Sequence, residues 1–264
     1  RGNLVHDIME ILWRELKDSS ALVALSDDER AQRASSAVAA GIEKRKRLDR
    51  LKYTDAIIAI ETTRLTEIVL EWLDGERDRK PFSVEFSEDE QRETIAGIEV
   101  SLRMDRVDQL ENGKRLIIDY KTGTVSINDW LDERPQDPQL LVYAAALGID
   151  TVDGLAFARI KKGESGFVGL AGDDAEDGNI KTIENTSRNV RLKNQGYEDL
   201  DEMLTVTRGI VERLGREFAQ GDAVVDPLER ACNWCDLRPL CRISAAEAGV
   251  DGVDEAAASG DGGS

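Results

Sequence analysis

Asp105, Asp119 and Lys121 are the residues whose types and spacing could do chemistry. They lie in segment 102–121, LRMDRVDQLENGKRLIIDYK, which reads as two short strands around an Asn112-Gly113 turn signal. Two carboxylates and a lysine at neighbouring strand positions are the minimum equipment for metal-dependent phosphodiester hydrolysis. The hairpin register decides whether they can meet. A two-residue loop, Asn112-Gly113, sets Asp105 opposite Tyr120 and sends the two aspartates to opposite faces. A three-residue loop, 111–113, with Gly113 in the left-handed position of a bulged turn, sets Asp105 opposite Asp119. Lys121 then shares that face, because side chains alternate along a strand. Directly opposed Cβ atoms lie about 4.5–5.5 Å apart. Carboxylates that close repel unless a cation lies between them, and oxygen ligands favour Mg²⁺ or Mn²⁺. Spacing alone favours a surface hairpin with scattered charges.

The elements that must position these residues follow from periodicity. Leu4, Val5, Ile8, Ile11, Leu12 and Leu16 give one apolar helix face. Ser26 with Glu29 is a capping box opening a second helix, and a third spans about 55–73. Strands are expected at about 82–86, 98–110, 115–121, 155–160 and 167–170. Ser126 caps a short helix, Asp137-Pro138 starts another, and a long helix runs from about 200 to 220, ending at Gly221. This pattern predicts an α/β fold with a central mixed β-sheet and flanking helices. One domain is expected over 1–244, made of a helical part (1–78), a sheet core (79–172) and a C-terminal helix with a cysteine cluster (197–244). The acidic tail, 245–264, is expected to be disordered. Arg1 stands where a Met would open a complete chain, so the sequence reads as a fragment of a longer protein.

Composition restricts the function classes. The chain has 264 residues, 35 Lys+Arg against 53 Asp+Glu, and a net charge of −18. That excludes a broadly basic nucleic-acid-binding surface, although net charge constrains the whole surface and not one groove. The one dense basic run, Lys44-Arg45-Lys46-Arg47, reads as a solvated helix end. No apolar stretch approaches the roughly 20 residues of a membrane span, and no signal peptide is seen, so no membrane partner and a cytoplasmic location are expected. No Walker A loop is present, so the chain carries no ATPase motor. Cys232, Cys235 and Cys241 form C-x2-C-x5-C, a metal-site spacing open to zinc or an iron–sulfur cluster. Both want four ligands, and three are present.

IIDYKTG with the upstream LRMDRVD resembles the PD-(D/E)XK nuclease superfamily, specifically its RecB/AddB-like branch. GNLVHDIME resembles that branch's helix with a metal-proximal histidine. DPQLLVYAAAL resembles its Gln-x-x-x-Tyr helix, PFSVEFSEDE sits where it places an early strand, and CNWCDLRPLC resembles the cysteine cluster of its iron–sulfur members. The likeness runs from about residue 2 to 242.

The resemblance implies a restriction-endonuclease-like sheet and a DNA nuclease, an exonuclease acting on single-stranded or unwound ends in double-strand break repair, with a helicase subunit or domain as partner. It implies that His6, Asp105, Asp119 and the backbone carbonyl of Tyr120 hold Mg²⁺ or Mn²⁺, with Glu10 orienting His6. Lys121 would position the attacking water or neutralise the developing oxyanion. Gln139 and Tyr143 would contact the substrate backbone or Lys121. Arg103, Arg106 and Asp108 read as salt-bridge support. The cysteines would carry a 4Fe–4S cluster whose fourth cysteine lies upstream of this chain. Two other classes remain: a non-cutting DNA-binding scaffold of the same fold, and an acidic zinc-binding interaction module.

Overall fold

The structure is a computed structural model. It describes residues 2–49, 54–86, 90–173, 175–177, 180–186, 189–222, 224, 232, 235–237 and 240. The chain divides into two compact units, Arg1–Gly221 and Asp222–Ser264. The expected tail, 245–264, lies outside the described residues.

The first unit opens with four helices. Helix α1 (Gly2–Leu16) buries Val5, Ile8, Met9, Leu12, Trp13 and Leu16 along one stripe. A short α2 (Ser19–Val23) starts where the Asp18 carboxylate accepts from the Ala21 amide at 2.7 Å. Helix α3 (Asp27–Asp49) follows the expected capping box. The Ser26 amide donates to Glu29 at 2.9 Å and the Glu29 amide donates to the Ser26 hydroxyl at 3.3 Å. Helix α4 (Asp55–Arg77) is capped by Thr54.

Six strands form a mixed sheet in the order β1-β4-β5-β6-β7-β8, the central sheet that the periodicity predicts. They are β1 (Phe82–Phe86), β4 (Arg106–Leu110), β5 (Arg115–Lys121), β6 (Val152–Arg159), β7 (Gly166–Ala171) and β8 (Ile180–Lys181); β5 and β6 run parallel. Strands β2 (Glu90–Ile95) and β3 (Ile98–Arg103) make a separate antiparallel hairpin. A 3₁₀ turn (Ile127–Trp130) and α5 (Gln139–Leu147) connect β5 to β6, and α6 (Val190–Gln195) and α7 (Leu200–Gln220) follow. Gly221 closes α7 at φ +76°, the left-handed ending expected of it.

Helices cover both sheet faces. On one, Leu116, Ile118 and Tyr120 of β5 pack with Ile8, Leu12, Trp13, Trp72 and Leu73. On the other, Ile117, Leu155 and Phe157 pack with Leu140, Met203 and Leu204. Strand β5, nearly all buried, is the apolar run expected where helices cover both faces.

The strand expected over 98–110 is a correction. It breaks at Met104-Asp105, so β3 leaves the main sheet to pair with β2 while β4 stays with β1 and β5. The break frees Asp105 from a ladder position, and its carboxylate instead takes the Tyr120 amide across the gap at 2.7 Å.

Candidate active site

The β4–β5 hairpin adopts the three-residue register. Arg106 pairs with Ile118 and Val107 with Ile117. The Leu110 amide donates to Lys114 O at 2.9 Å, and Gly113 sits at φ +81°. Continued by one residue, this register sets Asp105 across from Asp119, at the end of the hairpin remote from its turn.

Four elements converge there. From α1, His6 Nδ1 lies 3.1 Å from Asp105 Oδ1. From β5, Lys121 Nζ lies 2.9 Å from Asp119 Oδ2. From the segment ahead of α5, Asp137 Oδ2 lies 3.4 Å from the same ammonium. From α5, Gln139 Oε1 accepts from Lys121 Nζ at 3.4 Å, Gln139 Nε2 donates to Tyr143 Oη at 2.9 Å, and the Tyr143 hydroxyl donates to Arg103 O at 2.7 Å. One chain of contacts therefore runs from the lysine to the start of the hairpin. The one-turn spacing of Gln139 and Tyr143 puts both on the inner side of α5.

The electrostatics are unbalanced. Asp119 is 1% exposed. Among the described residues, its Oδ1 has no hydrogen-bond partner, and its Oδ2 faces only the Lys121 ammonium at 2.9 Å. Burial first, then the charge of Asp105, push Asp119 up to about 6, against the pull of Lys121 and His6. Burial works against the charge of Lys121, but Asp119 and Asp137 outweigh it and hold its pKa above the usual range. Asp119 and Asp137 thus favour the charged form of Lys121.

Among the described residues, no group of three or more His, Cys, Asp and Glu side chains is gathered tightly enough to hold a metal ion. Lys121 covers one oxygen of Asp119, while Asp105 divides its two oxygens between His6 and the Tyr120 amide. The donor types still suit a hard divalent cation: two facing carboxylates, one with an unsatisfied buried oxygen, and an imidazole.

Other expected residues fare differently. Glu10, expected to orient His6, forms ion pairs with Lys44 at 2.7 Å and Arg14 at 3.0 Å. Arg106 and Asp108 are fully buried on the opposite face, in a network with Glu76 and Arg79. Cys232 is half-buried and Cys235 exposed, with the Cys235 amide donating to Cys232 O at 3.5 Å; Cys241 lies outside the described residues. Periodicity missed Asp7 and Arg45, which line a cleft of ≈ 350 Å³ with His6 and Asp105. Adjacency of Asp7 to His6 was the available signal. Among the described residues, no helix is long and apolar enough to cross a membrane.

A family model of the PD-(D/E)XK nuclease superfamily matches residues 1–242. No curated protein matches the chain.

Proposed function

Because the chain belongs to the PD-(D/E)XK nuclease superfamily, we propose that it is a Mg²⁺- or Mn²⁺-dependent deoxyribonuclease of the RecB/AddB-like branch. Its substrates on this reading are single-stranded or unwound DNA ends during double-strand break repair, cut by exonuclease action beside a helicase subunit or domain. The observation that carries the reading is Asp119, a buried carboxylate whose Oδ1 has no hydrogen-bond partner among the described residues, set across from Asp105 and beside the Lys121 ammonium.

Asp105, Asp119, the Tyr120 carbonyl and His6 would hold the ion. When bound, a divalent ion supplies Lewis-acid polarisation of the phosphate and activation of water. The chain supplies the rest. The Tyr120 amide fixes the Asp105 carboxylate. Lys121 neutralises charge gathering on the phosphate oxygens as the water attacks, a role suited to a compact ammonium. Gln139 and Tyr143 hold that ammonium in place. The cysteines are read as ligands of a 4Fe–4S cluster with a fourth from elsewhere, supported by their spacing alone. A brown protein on anaerobic purification supports this, and a colourless one with stoichiometric zinc overturns it.

The test is cleavage of labelled single-stranded and duplex DNA with Mg²⁺, Mn²⁺ or EDTA, beside calorimetric titration with Mn²⁺. Lys121→Ala should bind Mn²⁺ yet lose roughly 10²–10³ in rate. Asp119→Ala should lose both binding and cutting. Undiminished cutting by Lys121→Ala would sink the mechanism. A folded, metal-loaded wild type that cuts no DNA would leave only a non-cutting scaffold.

A further inference from the structure

Two members of the dense basic run on α3, Lys44 and Arg45, are not solvated, whereas Arg47 is exposed as expected. Asp7, next to His6 on α1 and 3% exposed, holds both of them. Lys44 Nζ lies 2.7 Å from Asp7 Oδ1, and Arg45 Nε donates to Asp7 Oδ2. Glu10, one turn further along α1, takes Lys44 as well, at 2.7 Å. Gly41 makes this approach close. A Cβ there would meet Ile8 Cγ1 at 2.7 Å, so α3 presses on α1 one turn before Lys44 and Arg45.

The result is a cleft in which two arginines, Arg45 and Arg103, stand beside Asp7, His6 and Asp105. Arg45 comes from α3 and the exposed Arg103 from β3, two elements far apart in sequence. An apolar pair could join α1 to α3 without the desolvation cost of burying Asp7. What an apolar pair could not do is hold a guanidinium beside the candidate metal residues. In a chain of net charge −18, a polyanion approaching this cleft needs cationic partners, and Arg45 and Arg103 line it. Guanidinium groups bind phosphate oxygens with two parallel N–H donors.

We propose that Arg45, with Arg103 across the cleft, grips the phosphate next to the scissile one on a single DNA strand, and that Asp7 is the positioning residue for Arg45. This rests on the nuclease reading and names where its substrate enters.

The experiment measures binding of a fluorescein-labelled single-stranded oligonucleotide by anisotropy in EDTA over a range of salt, together with steady-state cleavage in Mn²⁺. Arg45→Ala should weaken binding roughly tenfold, as expected for losing a hydrogen-bonded charge pair. It should make the slope of log affinity against log salt shallower by about 0.7, one phosphate contact on a single strand. KM should rise with kcat little changed. Arg45→Lys should keep the slope and recover part of the affinity. Asp7→Asn should weaken binding although Arg45 remains, with helicity by circular dichroism reporting whether it folds. Arg208→Ala on α7 should change none of these. Arg45→Ala with wild-type slope and KM overturns the proposal while leaving the nuclease reading intact. A wild type that binds without cutting removes the nuclease reading, and the Arg45 slope then still decides the grip. A wild type that binds no DNA overturns both.

Discussion

On the face of the β4–β5 hairpin turned toward α1 and α4, Arg106 gives every N–H to a partner. Its Nε and Nη2 bind Asp108 at 2.6 and 2.8 Å, and its Nη1 and Nη2 bind Glu76 at 2.6 and 3.2 Å. Arg79 completes the set, 2.7 Å from Glu76 and 3.0 Å from Asp108. Two positive charges meet two negative ones, and the Arg106 guanidinium lies 3.9 Å from the centre of the Trp13 ring. One residue away, on the opposite face, Asp119 and Asp137 share a single lysine beside Asp105, and Asp119 Oδ1 has no hydrogen-bond partner among the described residues. The first arrangement is balanced in charge, with one buried donor, Arg79 Nε, short of a hydrogen bond and 3.8 Å from Asp177 Oδ2. The second carries excess negative charge in a buried place, which is tolerable only if a cation completes it or a proton relieves it. Burying charge thus does not by itself mark a site. The imbalance does.

The largest expected effect breaks the closed face. Arg106→Met leaves Glu76 and Asp108 with Arg79 alone. Removing one partner of a buried network costs about 3–5 kcal/mol, read as a lower urea midpoint. A loss under about 1 kcal/mol would mean that the network is no firmer than a surface ion pair, and the contrast would fail. Lys121→Ala, on the open face, should reverse the pattern: the loss of roughly 10²–10³ in cleavage rate with a small change in urea midpoint. A variant that melts as readily as Arg106→Met would place Lys121 among the structural charges.

Acid should separate the two faces next. Glu76 is lowered: burial pushes it up, but Arg106 and Arg79 outweigh burial. Its contribution to stability is present above the usual glutamate range and is lost only as pH falls through its depressed value. Asp119 has the opposite sign, raised to about 6 from 3.8. Its folded form binds a proton more readily than the unfolded chain does, so its contribution is full below 3.8 and is lost as pH rises through about 6. Without metal, stability should therefore rise as pH is lowered from about 7 toward about 5, while Glu76 remains charged. Asp119→Asn should remove that rise. Excess Mn²⁺ should flatten it too, because the ion favours the deprotonated carboxylate. Thermal melts at several pH values with EDTA or Mn²⁺ check all three, and a wild type that gains nothing on acidification contradicts the imbalance.

Legibility in the sequence followed the range of each interaction. Asn112-Gly113 together with the chemistry of Asp105 and Asp119 was enough for the hairpin register. Ser26 with Glu29 located the start of α3, and Gly221 the end of α7. These signals act within a few residues. The break at Met104-Asp105 left one mark, the apolar residues moving from even positions (Ile98, Val100, Leu102, Met104) to Val107, while the contact that accompanies it, with the Tyr120 amide 15 residues on, left none. Strand β2 is mostly polar, and α2 is five residues long, too short for a period to show. The partnership of Glu76 with Arg106 spans 30 residues and that of Asp7 with Arg45 spans 38. Such pairs obey no periodicity, so charges that look solvated in sequence can be buried in the fold.

The smallest effect tests what sorts the two faces in the first place. A one-residue slip of β4 against β5 would exchange every side chain between them, putting Arg106 in the site and Asp105 in the closed network. Gly113 sits at the turn that sets this register, at φ +81°, and a Cβ there would meet nothing within 4 Å. Gly113→Ala therefore adds backbone strain alone, about 1–2 kcal/mol. A slip would cost far more, because Leu110 would leave one core and Val107 the other. The register should hold. Gly113→Ala should lose about 1–2 kcal/mol in urea denaturation while Mn²⁺ affinity and the Lys121-dependent cleavage rate stay near wild type. Loss of metal binding in a variant that still folds would show instead that the turn, and not the two cores, keeps Asp105 and Asp119 on one face.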